Sequence, residues 1–265
     1  MLTNLGFDLQ NKVGVIAGGG SGLNGIGNGR AAAILLAEAG VKVLIVDINN
    51  DYAQGTVEMI KKNRGEAFGI SADLTIEDEC KRVIDEVLKK WGRLDILDNN
   101  IGIASNSTVV NETEDYWDKV MNINLKPMFL MSKYSIPEMI KSGQGGAIVN
   151  ISSISATRPK GYTAYSASKG GVISLTKAMA VDHGSAGIRV NCILPGPVYT
   201  PMVYKDGMTE ELRGIRKNAS LLNIEGSGWD IGKAVVYLCS NWSRYVTGQM
   251  LVVDGGCSLS YKSRG

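Results

Sequence analysis

The stretch KVGVIAGGGSGLNGIGNGRAAAILLAEAGVKVLIVD, residues 12–47, decides the fold of this chain. An apolar run at 12–17 ends in glycines, an Ala- and Leu-rich segment follows at 30–39, and a second apolar run occupies 41–47. This order predicts a strand, a helix and a second strand, which together form a βαβ unit.

The turn of this unit, residues 18–29, contains seven glycines among its twelve residues. Backbone without Cβ atoms can turn sharply and approach a pyrophosphate, which the N–H groups at the start of the following helix then hold. A flexible surface loop is the alternative interpretation. The position between the first strand and the first helix favours the phosphate site.

The same alternation continues along the chain. Helical segments separate further apolar runs, which predict strands near 67–71, 94–98, 146–151, 188–193 and 249–253. Continuous Val/Ile/Leu runs are typical of parallel strands that helices cover on both faces. No linker or repeat divides the sequence. We therefore expect a single doubly wound α/β domain over residues 1–265, with about seven strands.

Composition excludes several classes of function. The 265 residues carry a formal net charge of +2 with both signs dispersed, which argues against nucleic-acid or anionic membrane partners. Four separated cysteines and the single His183 make a zinc site unexpected, and reduced thiols fit a cytoplasmic location. The first residues lack a targeting pattern and no apolar run is long enough to span a bilayer, so we expect a soluble, unprocessed protein that binds small molecules.

Asp47 closes the second predicted strand. A carboxylate there can accept hydrogen bonds from adenosine ribose hydroxyls and would repel a 2′-phosphate, so we expect NAD rather than NADP. Ile48 follows it, and the sequence places no arginine within reach. Asp47 as the cap of a helix that begins near Asn50 is a second interpretation, compatible with the first.

Tyr165 and Lys169 are the best candidates for chemistry. Residues four apart share a helix face, and an ammonium beside a phenol favours the ionised phenol and lowers its pKa from about 10. The spacing predicts an acid/base group that works near neutral pH. Alone the pattern is weak, because an exposed Tyr and Lys on an ordinary helix would look the same.

Several further motifs accompany this pair, and with them the chain resembles the short-chain dehydrogenase/reductase family over almost its whole length. The motifs are the glycine-rich turn, Ala72-Asp73-Leu74, Asn99-Asn100-Ile101-Gly102, Asn122-Ile123-Asn124-Leu125, Asn150-Ile151-Ser152-Ser153, Tyr165 to Lys169, Arg189-Val190-Asn191, Pro195-Gly196-Pro197-Val198-Tyr199-Thr200 and Val252-Val253-Asp254-Gly255-Gly256. The resemblance implies a Rossmann fold and an NAD(P)-dependent oxidoreductase acting on CH–OH groups.

The resemblance also implies roles for individual residues. Tyr165 would be the general acid/base and Lys169 would lower its pKa and bind the nicotinamide ribose. Ser153, rather than Ser152, would orient the substrate oxygen, and Asn124 would hold a water in a proton relay. Asp73 would contact adenine, Asn99 would brace the sheet beside the cofactor, and Thr200 would lie near the nicotinamide amide. The full set of implied cofactor-binding residues is Gly18, Ser21, Gly27, Asn28, Gly29, Asp47, Asp73, Leu74, Asn99, Gly102, Tyr165, Lys169, Pro195, Val198 and Thr200.

The chain departs from the family pattern at three places. Ala17 replaces a threonine and the glycine-rich turn carries about five extra residues, Gly22 to Ile26. Asp98 stands where an apolar residue is usual, and a carboxylate at a buried strand end needs partners. The spacing from Ser153 to Tyr165 is one residue shorter than in many relatives.

Residues 197–224 predict a mobile substrate lid of helix and loop, with apolar side chains and the cations Lys205, Arg213, Arg216 and Lys217. We expect an apolar secondary alcohol and its ketone as substrates. The cations leave open an anionic substrate such as a 3-hydroxyacyl-CoA, and solvated helix charges are the alternative. A catalytically inactive nucleotide-binding regulatory subunit is the rival function. Family resemblance further implies a homotetramer or homodimer.

Overall fold

A computed structural model describes residues 6, 8–22, 25–204 and 207–261 of the chain. Its strands are β1 (Val13–Ala17), β2 (Lys42–Asp47), β3 (Ala67–Ser71), β4 (Ile96–Asn99), β5 (Gly146–Ile151), β6 (Ile188–Pro195), β7 (Val198–Tyr199), β8 (Gly226–Ser227) and β9 (Met250–Val253). Seven of them form one parallel sheet in the order β3-β2-β1-β4-β5-β6-β9, and β7 pairs with β8 in a separate short ribbon.

Helices cover both faces of the sheet. They are α1 (Asn28–Glu38), α2 (Asn50–Lys62), α3 (Glu77–Trp91), α4 (Glu114–Asn124), α5 (Lys126–Ser142), α6 (Thr163–His183), α7 (Pro201–Tyr204), α8 (Glu210–Ala219) and α9 (Gly228–Cys239). Successive strand residues point to opposite faces, so Ile16 packs with α1, α2 and α9 while Val15 packs with α3, α5 and α6. The predicted doubly wound α/β fold is confirmed.

The sheet topology determines where a ligand can bind. Strand β1 pairs with β2 on one side and β4 on the other, so the order of the strands reverses at β1. Open parallel sheets bind ligands beyond the carboxyl ends of their strands at such a reversal. The glycine-rich turn after β1 and Asn99 at the end of β4 both lie at this point.

Two strand boundaries differ by two residues from the sequence-based expectation. Strand β4 begins at Ile96, because the carboxylate of Asp95 accepts hydrogen bonds from the backbone N–H of Val13 and from Arg93, both at 2.9 Å. Strand β6 runs on to Pro195, which brings this residue to the edge of the sheet where β5 also ends.

Several composition-based expectations can be compared with the structure. The four cysteines are buried and free. Within the described ranges, His, Cys, Asp and Glu side chains form no cluster that could hold a metal ion. None of the helices in these ranges combines the length and apolar composition needed to cross a membrane.

Candidate active site

Tyr165 and Lys169 lie one turn apart near the start of α6, as their spacing predicts. The Nζ atom of Lys169 is 5.8 Å from the centre of the Tyr165 ring. It donates a hydrogen bond of 2.8 Å to the carbonyl oxygen of Ile151, the last residue of β5. Helix α6 therefore holds both side chains against the carboxyl end of the central sheet.

The two candidate serines after β5 have different surroundings. The Ser152 hydroxyl donates a hydrogen bond of 2.8 Å to the carbonyl oxygen of Lys169, so it fixes α6 to the strand. The Ser153 hydroxyl interacts with the phenol of Tyr165 and accepts a hydrogen bond of 3.1 Å from the Ser155 N–H. A 3₁₀ turn at Ile154–Ala156 follows. The geometry favours Ser153 over Ser152 as the partner of Tyr165.

Burial sets the electrostatics of the pair. It raises the pKa of Tyr165, and the hydrogen bond from Ser153 partly opposes this effect. Burial also lowers the pKa of Lys169 to about 8. The lowered phenol pKa expected from Lys169 is therefore not found in this structure, because the ammonium is itself desolvated and directed at the Ile151 carbonyl. At neutral pH the site presents a neutral phenol, which can donate a proton.

Asn124 joins the loop after β4 to α6. Its Oδ1 accepts a hydrogen bond of 2.8 Å from the Ile103 N–H, and its Nδ2 donates to the Ile103 carbonyl and to the Ser168 hydroxyl, both at 3.0 Å. Ser168 in turn donates to the carbonyl oxygen of Tyr165 at 2.8 Å. Asn124 is fully buried at the end of α4. Its role in a proton relay stays a prediction.

Asn99 braces the central strands. Its Nδ2 donates to Asn150 on β5 at 2.8 Å, and Asn150 donates to Thr176 on α6 at 2.9 Å. Gly102 lies beside the catalytic candidates, since a Cβ there would be 3.2 Å from Lys169 Nζ and 3.4 Å from Asn124 Oδ1. Contact of Asn99 and Gly102 with a cofactor stays a prediction.

The glycine-rich turn approaches β4 closely. Gly18 has φ of +78°, and a Cβ on it would be 3.1 Å from the backbone of Asn100. A Cβ on Gly29 would overlap the carbonyl oxygen of Gly18. Helix α1 begins after Gly27 with no side-chain cap and no acidic residue in its first turn, as far as the described residues show. Its first N–H groups are suited to an anionic group, so the turn fits a dinucleotide diphosphate.

Asp47 lies opposite this turn. Its Oδ1 accepts a hydrogen bond of 3.0 Å from the Asn49 N–H, and a Cβ on Gly20 would be 2.5 Å from its Oδ2. Burial raises the pKa of Asp47, while hydrogen bonds from the backbone at Asn49 and Gly20 oppose the rise. Asn49 caps α2 by accepting from the N–H groups of Asp51 and Tyr52. The interpretation of Asp47 as the helix cap is therefore wrong.

The remaining cofactor candidates follow the ends of other strands. Asp73 accepts hydrogen bonds from the N–H and hydroxyl of Thr75, at 2.9 and 2.7 Å, in the turn after β3. Thr200 is 6% exposed and follows β7. The other candidates take these positions: Ser21 and Asn28 on either side of the lengthened turn, Leu74 buried after Asp73, Pro195 at the end of β6 and Val198 at the start of β7.

The predicted lid begins after the Pro195 corner and is closed by the ribbon of β7 and β8. Its cation Arg213 pairs with Glu225 at 2.9 Å and lies 4.4 Å from the centre of the Tyr199 ring. Arg216 donates to the Val198 carbonyl at 3.1 Å. Lys205 lies outside the described residues. Two of the four predicted cations thus have partners within the lid region.

Two residues near the site were not assigned from the sequence. Arg30, in the first turn of α1, is 1% exposed, and its signal is a cation at a helix N-terminus, where the helix dipole opposes positive charge. Asp98 is fully buried, and its Oδ2 accepts a hydrogen bond of 2.5 Å from Asn100 Nδ2. Burial raises the pKa of Asp98 to about 8.

Comparisons with known proteins agree with this geometry. Residues 22–258 match the sequence profile of a family described as enoyl-(acyl carrier protein) reductase. The chain is 37% identical to an uncharacterized oxidoreductase, YxbG, of Bacillus subtilis over 94% of this chain and 91% of that protein. It is 35% identical to a 3-oxoacyl-[acyl-carrier-protein] reductase, FabG, of Thermotoga maritima over 94% of this chain and 98% of that protein.

Solved structures show the same relationship. A putative short-chain dehydrogenase/reductase from Burkholderia xenovorans superposes with a TM-score of 0.89 at 36% identity, covering 95% of this chain and 98% of its own. A 7α-hydroxysteroid dehydrogenase complexed with NADH and 7-oxo glycochenodeoxycholic acid superposes with a TM-score of 0.89 at 32% identity, covering 98% of each chain. The chain belongs to the short-chain dehydrogenase/reductase family and is an NAD(P)-dependent oxidoreductase.

Proposed function

We propose that this protein interconverts a secondary alcohol and its ketone with NAD, and that Tyr165 is the general acid/base. The observation that carries the proposal is the contact of the Ser153 hydroxyl with the phenol of Tyr165, with Lys169 Nζ 5.8 Å from the centre of the same ring, at the carboxyl end of the sheet. The inactive regulatory subunit has no observation in its favour, because these side chains and Asn124 are all present and in contact with the same helix.

Each residue has a distinct task in this proposal. When bound, the nicotinamide supplies the acceptor or donor of the hydride at the carbinol carbon. Tyr165 gives its proton to the ketone oxygen during reduction and receives it from the alcohol during oxidation. Ser153 donates a hydrogen bond to the same oxygen, whose negative charge grows in the transition state. Lys169, whose Nζ lies 5.8 Å from the centre of the phenol ring, would bind the nicotinamide ribose.

Asp47 supports NAD as the cofactor. Its carboxylate lies at the end of β2 beside the glycine-rich turn, where it would accept from ribose hydroxyls and repel a phosphate. Arg30 is the cation that acts on Asp47. Its Nε, Nη1 and Nη2 atoms already donate hydrogen bonds to protein oxygens. The related 7α-hydroxysteroid dehydrogenase structure contains NADH, which agrees with this choice.

The lid supports an apolar substrate. Its exposed apolar side chains include Met202, Leu221, Leu222 and Ile224, each more than half exposed. The bile-acid ketone in the 7α-hydroxysteroid dehydrogenase and the acyl group in the name of the 3-oxoacyl reductase are both largely apolar. A 3-hydroxyacyl thioester is one member of the proposed class. The ion pairs of Arg213 favour a structural role for that charge over an anion site.

The test of this function is Tyr165→Phe. Removing the hydroxyl should lower kcat at least about a hundredfold, because general acid/base catalysis contributes about 10²–10⁴. Binding of NADH, measured by fluorescence titration, should be kept. The assay follows NADH absorbance with a panel of secondary alcohols and 3-hydroxyacyl thioesters, and repeats the wild-type measurement with NADP, for which we expect the lower kcat/KM. Near-normal turnover of the variant would refute the assignment of Tyr165.

A further inference from the structure

Arg30 is almost completely buried, yet it donates hydrogen bonds in several directions. Its Nη1 donates to the carbonyl oxygen of Gly25 at 2.8 Å, and its Nη2 donates to the carbonyl oxygens of Ser21 at 2.7 Å and Tyr52 at 3.2 Å. Its Nε donates to the Thr56 hydroxyl at 2.9 Å. A planar guanidinium holds its donors in one rigid arrangement, so these acceptors are fixed relative to one another.

The carbonyl group of Ser21 comes just before the extra segment of the glycine-rich turn, and that of Gly25 lies within it. The Gly25 N–H donates to the Gly22 carbonyl at 3.0 Å. Glycine-rich backbone loses more conformational freedom on ordering than any other sequence, so a turn lengthened by glycines needs an external constraint. Arg30 supplies this constraint from inside the fold.

Thr56 extends the same network to the start of the turn. Its hydroxyl donates to the Gly19 carbonyl at 2.8 Å while it accepts from Arg30. Helix α2, helix α1 and the turn are therefore joined through two side chains, those of Arg30 and Thr56. Burial lowers the pKa of Arg30, but the nearby charge of Asp47 opposes this effect and favours the cation.

We propose that Arg30 is a positioning residue for the cofactor, which holds the lengthened turn in the shape that presents the N–H groups of α1 to the diphosphate. The inference rests on the proposed dinucleotide site but not on the identity of the substrate. In this proposal Arg30 does not touch the reacting atoms, because it affects cofactor binding through the backbone of the turn. A loss of Arg30 should therefore weaken ligands that contain the diphosphate and spare the chemical step.

The experiment compares ADP-ribose with adenosine by isothermal titration calorimetry. Arg30→Met should raise the Kd of ADP-ribose about tenfold or more, since a hydrogen bond to a charged group is lost for each misplaced N–H. The Kd of adenosine should change less than about threefold. In steady state the KM for NAD should rise while kcat at saturation stays within about twofold. Arg30→Lys should show a smaller loss, because one ammonium restores the charge and part of the hydrogen bonding.

Arg189→Met is the matched control. Arg189 also donates to backbone carbonyls, those of Leu238 at 2.8 Å and Ser240 at 3.2 Å, but at the end of α9. This variant should lose stability and leave the Kd of ADP-ribose unchanged. A stability loss shared by both variants cannot then explain a selective loss of ADP-ribose binding.

The inference is overturned if folded Arg30→Met binds ADP-ribose as the wild type does, or if it loses adenosine equally. If that variant does not fold, Thr56→Val takes its place. It should raise the Kd of ADP-ribose about threefold or more and leave the Kd of adenosine unchanged. An unchanged ratio of these two Kd values overturns the inference. A wild-type protein that binds ADP-ribose but turns over no alcohol would instead contradict the proposed reaction. One that binds neither probe would contradict both.

Discussion

At the scale of single residues, Asp98 is the least expected side chain in the fold. It sits on β4 between Ile16 and Val149 of the adjacent strands, with no exposed surface. One carboxyl oxygen accepts from Asn100, and the other has no hydrogen-bond partner among the described residues. The buried thiol of Cys239 on α9 also faces this carboxyl, and the Asp98 charge raises the pKa of that thiol further. A neutral carboxyl is the form this position favours.

Protonation of Asp98 makes stability depend on pH. Its pKa is about 8 in the folded protein against an ordinary value of 3.8, so the unfolded chain releases this proton first. The stabilising contribution is complete below about pH 4 and is lost as pH rises toward 8. Between pH 4 and pH 8 the contribution of Asp98 to the free energy of unfolding falls by about 1.4 kcal/mol per pH unit.

Asp98→Asn removes this titration. Relative to the wild type, the variant should gain stability by about 1.4 kcal/mol for each pH unit between pH 5 and pH 7. Urea denaturation at pH 5, 6 and 7 measures the difference directly, and a constant offset from the missing proton does not affect the slope. Two parallel stability curves would show that Asp98 is ionised in the fold.

At the scale of elements, we propose that one partly buried ion pair holds the predicted lid. Arg213 on α8 pairs with Glu225, whose side chain is 14% exposed, just before β8. Arg213→Met leaves this carboxylate without its partner while it remains largely covered. We expect residues 197–224 to open more often, so that a protease cleaves the lid about threefold faster or more. The melting temperature of the sheet should change little.

Lys81→Met is the control for this experiment. The pair of Lys81 and Asp85 has a similar distance, 2.7 Å, but both side chains are more than half exposed on α3. Exposed ion pairs contribute little to stability, so the protease should cleave the Lys81 variant at the wild-type rate. Equal cleavage of the Arg213 variant and this control would show that the pair does not fasten the lid.

At the scale of the whole molecule, one side carries an apolar groove between α4, α5 and α6. The groove has a volume of about 940 Å³ and is lined by Met121, Leu125, Phe129 and Leu175 together with charged residues at its rim. Phe129 is 49% exposed there. Two of these helices carry Asn124 and Tyr165, and the family resemblance implies a homotetramer or homodimer. We propose that a second copy of the chain covers this groove.

Phe129→Glu should convert the assembly into smaller species, because a charge would be buried at the centre of the contact. Multi-angle light scattering measures the mass. Ile76→Glu is the control, since Ile76 is 50% exposed beside the start of α3, away from the groove. A monomeric wild type would contradict the proposed assembly, and an unchanged mass of the Phe129 variant would place the contact elsewhere.

The sequence predicts the sheet well because its signals are local. Continuous apolar runs mark buried parallel strands, and the glycines after β1 mark the turn, so the fold class and most strand positions are recovered. The short ribbon of β7 and β8 is missed, because two-residue strands separated by the lid leave no periodic pattern. The start of β4 at Ile96, two residues later than predicted, is missed because it depends on the long-range contact of Asp95 with Val13.

The site is only partly readable for the same reason. Tyr165 and Lys169 are found because their spacing is a helical one, whereas the sign of the Tyr165 pKa shift depends on burial that no local pattern reports. In the sequence, Arg30 is only a cation at a helix N-terminus. Its role depends on the carbonyl acceptors of Ser21, Gly25 and Tyr52, which only the fold brings together. The direction of the Tyr165 pKa shift and the role of Arg30 thus depend on long-range contacts that the motifs do not report.

The ribbon that closes the lid has a consequence for how substrate range can change. Val198 faces Gly226 and Tyr199 faces Ser227, so both ends of the lid are tied to each other outside the main sheet. The entropy of closing such a loop grows only with the logarithm of its length, about 0.6 kcal/mol for each doubling. Segments of different length and composition can therefore be exchanged between these anchor points, as a cassette, without altering the register of the strands that hold the catalytic pair.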